Sequence, residues 1–559
     1  MSKQRATGSL WADSLFLLLL LGSLFFILLG SRPLFVPDEG RYAEIAREMV
    51  VSHDYVTPYL NGIKYFEKPI LFYWLGAAAI KVGGLGLWSI RSVNAFLSLL
   101  GCLLTYLTVR KLYDRATGLL AALILGTSAL YFVMTHMVSL DLPVTVFIST
   151  TLYAFLLGNQ QPVGIKRRFY FWGAAAAAGL AVLTKGLIGI VFPFMIIGAW
   201  LTLMGEWRSL SRMYLPSSLF VFLIVAAPWH IWVGIRNPEF FYFYFIEQQF
   251  LRYATLNIGH YQPDWFFIPC LILGLFPWIV FLPQALVASL PTSWRLRGER
   301  PIEIFLLLWA ILIFTFFSFS KSKLIPYILP VFPPLAILIA HYLIVSLRQN
   351  RLLGIRLGFM SMLPLSLGIA YCFYLFPRHT PLPDPAHATF YLDLAAGLLI
   401  ACALLACFYA YRQVRYAIWN TVILTGFFLL LILVAAPAID SRTVLPIATE
   451  LKPFLKPQDE IITFNQYFQD LPFYLERRVS ILNWRNELTY GMQHQDMHEW
   501  MIDDGMFWQR WHQHRVFVII GLEEYTNVQK NHPQEKFYLL GKTINYALVS
   551  NQPLDMLSH

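Results

Sequence analysis

The side chains that could do chemistry are concentrated in residues 37–69, directly after the first apolar run. Only 13% of the chain is charged, yet this segment contains six carboxylates and four basic residues, with four tyrosines between them. These ionisable residues are Asp38, Glu39, Glu44, Glu48, Asp54 and Glu67, and Arg41, Arg47, Lys64 and Lys68. A carboxylate can act as a base or anchor a charge, whereas clustered Lys and Arg favour a phosphate or diphosphate.

One helix and one extended segment are expected to position these groups. Pro37 precedes Asp38 and Glu39, and acidic residues near the start of a helix stabilise its positive end. Apolar residues then recur at helical spacing, which predicts a helix over residues 38–51, lying along the membrane surface. An extended polar segment, 55–68, follows it. The alternative is an amphipathic helix that only caps the membrane bundle.

The whole composition is that of a polytopic membrane protein. The 559 residues are 57% hydrophobic, and the mean hydropathy is +0.57. Repeated apolar runs of about 20 residues indicate spanning helices. We predict 13 spans, at residues 13–31, 88–109, 117–135, 142–159, 169–184, 186–205, 214–236, 264–290, 303–318, 326–346, 358–377, 391–411 and 416–438. The net charge of +10 is spread over short loops, so no nucleic-acid partner is expected.

Basic loops set the predicted topology. With Lys3 and Arg5 inside, every second connection between spans is basic, through seven inside segments. The short run Ile70–Val82 is assigned to a juxtamembrane helix on the outer side, within an outer loop covering 32–87. Residues 439–559 contain no spanning run and predict a small α/β domain on the same side, with strands near 460–464, 515–521, 537–540 and 546–550 and a helix over 497–510. Residues 1–438 form the transmembrane domain.

This topology collects the unusual polar residues at the outer ends of the spans. They are the 38–68 loop, His136, Asp141, Lys185, the segment 247–260, Lys321, Lys323 and Tyr327. Ionisable groups at membrane depth are costly and by default indicate function. A lipid or glycan transporter would place such groups near the middle of interrupted spans, where this chain has almost none. The pattern therefore favours an outward-facing cavity.

The expected chemistry of this cavity is transfer from a lipid phosphate. Four cations, Lys68, Lys185, Arg252 and Lys321, would meet a phosphate, and Asp38 and Asp141 could serve as base or electrostatic anchor. A phosphate that leaves from a sugar, while an acceptor attacks the anomeric carbon, fits this set. For any one of these lysines the alternative is snorkelling to the membrane surface.

Several motifs resemble those of the phospholipid-carrier-dependent glycosyltransferases of the GT-C superfamily. The resemblance is closest to the aminoarabinose transferases of lipid A, which are related to protein O-mannosyltransferases. The motifs are residues 37–42 (PDEGRY), 65–69 (YFEKP), Asp141, 184–186 (TKG), 276–278 (FPW) and 326–327 (PY). The likeness is strong over residues 30–340 and holds only in outline beyond them.

The resemblance implies an undecaprenyl-phosphate-linked sugar donor, an acceptor at the outer face of the bacterial inner membrane, and inversion at the anomeric carbon. It implies Asp38 as the essential carboxylate, with Asp141 as a second acidic candidate. It also implies a donor-phosphate site, formed by Lys68, Arg252, Lys185, Tyr327, Arg41, Tyr42 and Tyr65.

A divalent metal, zinc or magnesium, is implied at Glu67. Relatives often carry Glu-His before the arginine that follows the seventh span, but here Glu247 is followed by Gln248. Glutamine is a poor zinc ligand. Either Glu247 or His260 replaces that histidine, the ion is a harder one such as magnesium, or no metal is bound.

The expected function is transfer of 4-amino-4-deoxy-L-arabinose from undecaprenyl phosphate to a lipid A phosphate by a monomer facing the periplasm. Transfer of another sugar to protein hydroxyls or to another envelope glycan is the alternative within this class. A transporter and a non-catalytic membrane scaffold are alternatives from other classes.

Overall fold

The structure is a computed structural model that describes residues 9–251 and 261–553. Its membrane part is helical: α1 Leu10–Phe26, α2 Asp38–Ser52, α3 Leu71–Gly83, α4 Leu87–Leu112, α5 Arg115–Gly126, α6 Ala129–Thr135, α7 Asp141–Asn159, α8 Ile165–Lys185, α9 Ile188–Met204, α10 Leu215–Arg236, α11 Phe267–Gly274, α12 Leu282–Ser289, α13 Pro301–Phe319, α14 Phe332–Arg348, α15 Leu353–His379, α16 Pro385–Arg412 and α17 Val414–Ile439.

The protein is a multi-pass membrane protein, as predicted. Within the described residues, eight helices are long and apolar enough to cross a membrane, or up to ten if each of two bent pairs is one span. Three shorter apolar helices, α1, α3 and α9, add to them. The count of 13 spans is therefore not confirmed. The run at 70–82 forms α3, which has 13 residues, and its assignment to a juxtamembrane or partly inserted helix on the outer side stays a prediction.

Two of the predicted spans are broken helices. The pair α5 and α6 bends by 66°, and the pair formed by Asp264–Gly274 and Trp278–Ser289 bends by 104°. At the first break, the hydroxyls of Thr127 and Ser128 donate to carbonyls one turn back, each at 2.6 Å, which competes with the backbone ladder. At the second break, Pro277 has no amide to donate. Periodicity alone did not distinguish a bent pair from a straight span.

The first outer loop agrees with its prediction. The helix α2 begins at Asp38 and ends at Ser52, and the extended segment forms a short antiparallel hairpin of β1 Tyr59–Leu60 and β2 Ile63–Lys64. The buried residues of α2 include Ala43, Ile45 and Ala46, which join a core shared with α3 and with the C-terminal domain. The helix is covered on several sides and is not a solvated cap.

The C-terminal domain is an α/β unit, as predicted. It contains β3 Glu460–Phe464, β4 Ser480–Leu482, β5 Met501–Ile502, β6 Val516–Gly521, β7 Tyr538–Lys542 and β8 Tyr546–Ser550, with α18 Leu445–Leu451, α19 Leu471–Leu475, α20 Thr489–Met492, α21 Asp504–Gln513 and α22 Leu522–Asn531. The strand order is β5-β4-β3-β6-β8-β7. The first four strands are parallel, whereas β7 and β8 pair antiparallel.

One element of this domain was predicted wrongly. The expected helix over 497–510 begins only at Asp504, because Met501 and Ile502 pair with β4 as an edge strand. Asp503 caps the helix, since its side chain accepts a hydrogen bond from the amide of Met506 at 2.9 Å. The strand β4 lies between two other strands and was not predicted at all.

The C-terminal domain lies directly on α2 and on the β1–β2 hairpin. A Cβ atom on Gly40 would come within 2.5 Å of the backbone nitrogen of Asp470, so glycine permits this close contact. On the hairpin, Asn61 exchanges hydrogen bonds of 2.9 and 3.0 Å with the backbone of Val479. The chain between β3 and β4, which contains Asp470 and Val479, thus reaches the segment that carries the candidate catalytic residues.

Candidate active site

Asp38 is the first residue of α2, and its side chain is 44% exposed. Its Oδ1 atom lies 3.5 Å from a guanidinium nitrogen of Arg41, one turn further along the helix. The position at the helix start also places a carboxylate near the positive end of the helix dipole. Asp38 is therefore accessible and only loosely paired.

The neighbouring Glu39 fixes the position of this helix start. It is fully buried, and it accepts hydrogen bonds from the guanidinium groups of Arg32 (2.6 Å) and Arg91 (2.9 and 3.0 Å). The amides of Phe35 (2.8 Å) and Val138 (2.7 Å) donate to the same carboxylate. Burial alone would raise the pKa of Glu39, but the two arginines lower it to about 2. One carboxylate thus joins the loop before α2 to the loop before α7.

Asp141 begins α7, and it meets Lys185, which ends α8. The ammonium group of Lys185 forms an ion pair with Oδ1 of Asp141, and the hydroxyl of Ser139 donates to Oδ2 at 3.2 Å. The same ammonium group lies 4.4 Å from the ring centroid of Tyr327, a cation–π contact. The structure therefore brings together three of the predicted site residues.

Tyr42 lies near both Asp38 and Asp141. Its side chain is buried, and burial raises the pKa of its hydroxyl well above the usual value, with further contributions from the charges of Asp38 and Asp141. Both carboxylates therefore lie close enough to Tyr42 to act on it. The helix start of α2 and the helix start of α7 face one shared region.

Arg41 is held by the C-terminal domain, which the sequence did not predict. Its guanidinium forms an ion pair with Glu487, in the loop after β4. Glu487 in turn accepts a hydrogen bond from the amide of Gln469 at 2.9 Å. Burial raises the pKa of Glu487, and Arg41 lowers it in part. Glu487 lies more than 400 residues from Arg41 in the chain, so no local pattern could have identified the pair.

The Tyr65–Lys68 segment lies beside this pair. Tyr65 is buried, and its hydroxyl has no hydrogen-bond partner among the described residues. Burial raises the pKa of Tyr65, while Arg41 lowers it and Glu67 raises it further. The ammonium of Lys68 donates to the carbonyl oxygen of Glu67 at 3.2 Å, and both side chains are partly buried. A buried hydroxyl next to a lysine and an arginine is suited to an oxyanion.

The remaining predicted residues have different outcomes. Glu247 lies in a π-helical segment, Tyr242–Leu251, whereas Arg252 and His260 lie outside the described residues. Lys321, expected among the cations of the cavity, is exposed; its neighbour Lys323 is buried, and its ammonium donates to the carbonyl oxygen of Gln262 at 2.9 Å. At this turn the buried lysine is Lys323, whereas Lys321 was expected among the cations that meet the phosphate.

No metal site is built by the part of the chain that the structure describes. Within residues 9–251 and 261–553, no three His, Cys, Asp or Glu side chains lie together as potential ligands. Glu67 and Glu247 do not form such a set, and His260 belongs to the undescribed residues. The metal implied at Glu67 therefore stays a prediction.

Two family models match the chain. Residues 67–232 match the one described as dolichyl-phosphate-mannose-protein mannosyltransferase. Residues 447–544 match the one described as aminoarabinose transferase C-terminal domain. The first match covers the spans that carry Asp141 and Lys185, and the second covers the domain that carries Glu487.

Curated relatives are similar over much of the chain. The undecaprenyl phosphate-alpha-4-amino-4-deoxy-L-arabinose arabinosyl transferase of Pseudomonas paraeruginosa is 32% identical over 426 residues, which are 75% of each chain. The protein of the same name from Erwinia tasmaniensis is 33% identical over 364 residues, which are 63% of this chain and 65% of that relative. The second alignment thus spans slightly less than two thirds of the relative.

The fold is similar to that of a solved enzyme. The crystal structure of ArnT from Cupriavidus metallidurans bound to undecaprenyl phosphate superposes with a TM-score of 0.84 at 27% sequence identity. The match covers 97% of this chain and 98% of that one. The likeness includes both the membrane domain and the C-terminal domain.

Proposed function

This chain belongs to the family of the undecaprenyl phosphate-alpha-4-amino-4-deoxy-L-arabinose arabinosyl transferases, and we propose that it moves 4-amino-4-deoxy-L-arabinose from undecaprenyl phosphate to a phosphate of lipid A. It is a membrane glycosyltransferase of the GT-C type. The observation that carries the proposal is the shared region between Asp38 and the Asp141–Lys185 pair. Two carboxylates and several cations there suit a sugar that leaves from a phosphate.

The donor phosphate would bind at Lys185 and Lys68. The ammonium of Lys185 now pairs with Asp141 and stacks on Tyr327, and a phosphate entering beside it would compete for that ammonium. Lys68 and the unpartnered hydroxyl of Tyr65 lie on the neighbouring segment. Charge-assisted hydrogen bonds to the phosphate stabilise the charge that grows on it as the bond to the sugar breaks.

Transfer would proceed in one displacement. A phosphate oxygen of the acceptor attacks the anomeric carbon, the bond from that carbon to the carrier oxygen breaks, and its electron pair stays on undecaprenyl phosphate. A phosphate acceptor is already anionic, so Asp38 need not remove a proton. We propose that Asp38 positions the substrates and stabilises the positive charge that develops on the sugar.

Two further carboxylates favour an amino sugar. Glu487 and Glu67 lie close enough to Tyr65 to raise the pKa of its hydroxyl, after burial, which is the largest cause. Carboxylates on this wall of the cavity are suited to the 4-ammonium group of aminoarabinose.

The second candidate acceptor is a protein hydroxyl. The match of residues 67–232 to a protein mannosyltransferase model favours it. A hydroxyl must lose a proton during attack, so Asp38 would then act as the general base. Rates that rise with pH over the titration range of a carboxylate would distinguish this acceptor from a lipid phosphate.

The orientation and the metal are separate proposals. The alternation of basic loops supports a site that faces the periplasm, which an impermeant thiol reagent on a cysteine placed beside Asp38 would test.

A divalent ion at Glu67, completed by Glu247 or His260, would make transfer sensitive to a chelator and restorable by zinc or magnesium. Full transfer activity in the presence of the chelator would show that transfer does not need the ion.

The decisive variant is Asp38→Asn in the purified protein, reconstituted with carrier-linked aminoarabinose and lipid A. We expect transfer to fall by at least two orders of magnitude with unchanged thermal unfolding, because the loss of an oriented charge acts on the transition state. Asp54→Asn is the matched control: Asp54 belongs to the same outer loop but pairs with Arg236 at 3.1 Å. Transfer by Asp38→Asn at the rate of the control would refute the assignment.

A further inference from the structure

A polar cavity of about 970 Å³ lies at the other end of the membrane helices. Its lining includes Arg300, Glu303, His341, Gly354 and the arginines at 351 and 356. The helix α13 begins at this cavity with Pro301 and ends at Phe319, close to the turn of Lys323. Nineteen helical residues rise about 28 Å, so the cavity is on the membrane face opposite Asp38.

Two long helices begin at this cavity, and neither start is capped by a side chain. The residues before α13 and α15 are Arg300 and Leu352, and neither makes a side-chain capping hydrogen bond. The first amides of a helix have no partner within the helix, and together with its dipole they attract an anion. At the start of α15, the hydroxyl of Tyr342 packs against Gly354, where an added Cβ atom would clash with it, so this helix start is covered by a side chain.

Three guanidinium groups add positive charge to the same cavity. Arg300 donates to the carbonyl oxygen of Ala288, and Arg356 donates to that of Ala410 at 3.3 Å, so both keep their full charge. Arg351 is exposed, and no carboxylate pairs with it in the described part of the chain. Guanidinium groups are well matched to the oxygens of a phosphate.

Two carboxylates, Glu299 and Glu303, line the cavity together with the three arginines. Glu303 accepts a hydrogen bond from the hydroxyl of Tyr113 at 3.0 Å, and it lies 3.6 Å from Nε2 of His341. The Nδ1 atom of His341 is buried and has no hydrogen-bond partner within the described ranges. A ligand that carries both donors and acceptors would satisfy it.

The rim of the cavity continues into the lipid-facing side of α15. Leu353, Leu357 and Met360 are 72%, 52% and 48% exposed, and their spacing places them on one side of the helix. A ligand with its anionic end in the cavity could therefore lay an acyl chain along this stripe. Basic pockets between membrane helices on the basic-loop side are suited to anionic lipid headgroups.

We propose that this cavity binds the phosphate of an anionic phospholipid, held by the start of α13 and by Arg300, Arg351 and Arg356. The site is distinct from the transfer site, and it would anchor the basic face of the protein to its own leaflet. Free inorganic phosphate offers the same anionic group without the acyl chains, and the test separates the two.

The test is native mass spectrometry of the purified full-length protein with phosphatidylglycerol or with phosphatidylcholine of identical acyl chains. We expect phosphatidylglycerol to bind at least about tenfold more tightly, and Arg351→Gln to weaken it about tenfold, since a hydrogen bond to a charged group contributes about that factor. Arg295→Gln is the matched control, because Arg295 is exposed on the same face but does not line the cavity. Its binding should equal that of the unmodified protein.

Three outcomes would overturn the proposal. The first is equal binding of the two lipids. The second is an equal effect of Arg351→Gln and Arg295→Gln on phosphatidylglycerol. The third is a protein that shows no preference for the anionic lipid but is stabilised by millimolar inorganic phosphate, with this stabilisation lost in Arg351→Gln. This result would assign the cavity to the free phosphate ion. Since Arg351 is exposed, its substitution is expected to leave folding intact.

Discussion

Replacing Glu39 by glutamine should impair the candidate active site, although Asp38, Asp141 and Lys185 themselves are unchanged. Glu39 accepts hydrogen bonds from Arg32 and Arg91 and from the amides of Phe35 and Val138. Glutamine has nearly the same shape, but it removes the negative charge and turns an NH2 group towards these donors. The buried Arg91 and the partly buried Arg32 would then lose their shared counter-charge.

The expected loss of folding free energy follows both from the pKa of Glu39 and from the typical cost of breaking a buried ion pair. The pKa of Glu39 falls from 4.5 to about 2 because of the arginines, which corresponds to about 3 kcal/mol of folding free energy at neutral pH. Breaking one partner of a buried ion pair typically costs about 3–5 kcal/mol. Since the folded-state pKa is depressed, this stabilisation is complete above pH 4.5 and is lost as the pH falls towards 2.

The assay compares transfer with thermal unfolding in Glu39→Gln and in Asp13→Asn. Asp13 is a matched control, because it is also buried and accepts hydrogen bonds from Arg110 (2.7 Å) and Arg115 (2.6 Å). It lies at the start of α1, at the opposite end of the bundle. Both variants should melt several degrees lower than the unmodified protein.

Only Glu39→Gln should also lose transfer at temperatures where it is still folded. Its carboxylate holds together the loops that present Asp38 and Asp141, whereas the Asp13 cluster holds neither. We expect at least a tenfold fall in turnover, because small displacements of oriented groups are costly. Equal turnover in the two variants at a temperature where both are folded would refute the reasoning.

Three further predictions concern the same region. Gly40→Ala should cost about 1–3 kcal/mol by overpacking and lower the melting temperature, since its Cβ would lie 2.5 Å from the backbone nitrogen of Asp470; Gly173→Ala, in open space, is the control and should not. Burial raises the pKa of Asp470 from 3.8 to about 8, so the folded protein binds more protons than the unfolded chain, and its stability should fall as the pH rises between these values. Asp470→Asn should flatten the profile of melting temperature against pH. An unchanged slope of this profile in the variant would count against the burial of Asp470. Lys185→Gln should weaken donor binding about tenfold or more by removing the charge that pairs with Asp141, and an unchanged donor KM would exclude it from the phosphate site.

Local patterns predicted the elements that carry the site. Pro37 and the acidic residues after it gave the start of α2 correctly, because helix starts are determined by neighbouring residues. The conspicuous pairing of Asp141 with Lys185 was not predicted as a contact, although both residues were expected at the outer ends of spans. Their meeting depends on how α7 and α8 pack.

Contacts between distant segments were beyond the reach of the sequence. Glu487 belongs to a loop of the C-terminal domain, and nothing near it in the chain distinguishes it from other surface glutamates. Glu39 was overlooked for a different reason: it stands next to Asp38 in the sequence, and only the structure shows that Glu39 is buried whereas the side chain of Asp38 is 44% exposed. The bends at Thr127 and Pro277 were hidden by continuous apolar periodicity.

The C-terminal domain therefore belongs to the site as well as to the fold. Glu487 holds Arg41, and Gln469 holds Glu487, so one wall of the candidate cavity depends on loops after β3 and β4. Ligands of open α/β sheets commonly bind at the carboxyl ends of the parallel strands. In this chain the loops after β3 and β4 carry Gln469 and Glu487, which hold Arg41 of α2.

Mass spectrometry of lipid A from cells that lack this gene tests the central claim most directly. The cells would be complemented with the unmodified protein, with Asp38→Asn or with the control Asp54→Asn, under conditions that induce modification of the envelope. The account predicts that the mass increment of aminoarabinose on lipid A appears with the unmodified protein and with the control, and is missing with Asp38→Asn. Lipid A that carries the same increment in all strains, including the one without the gene, would contradict it.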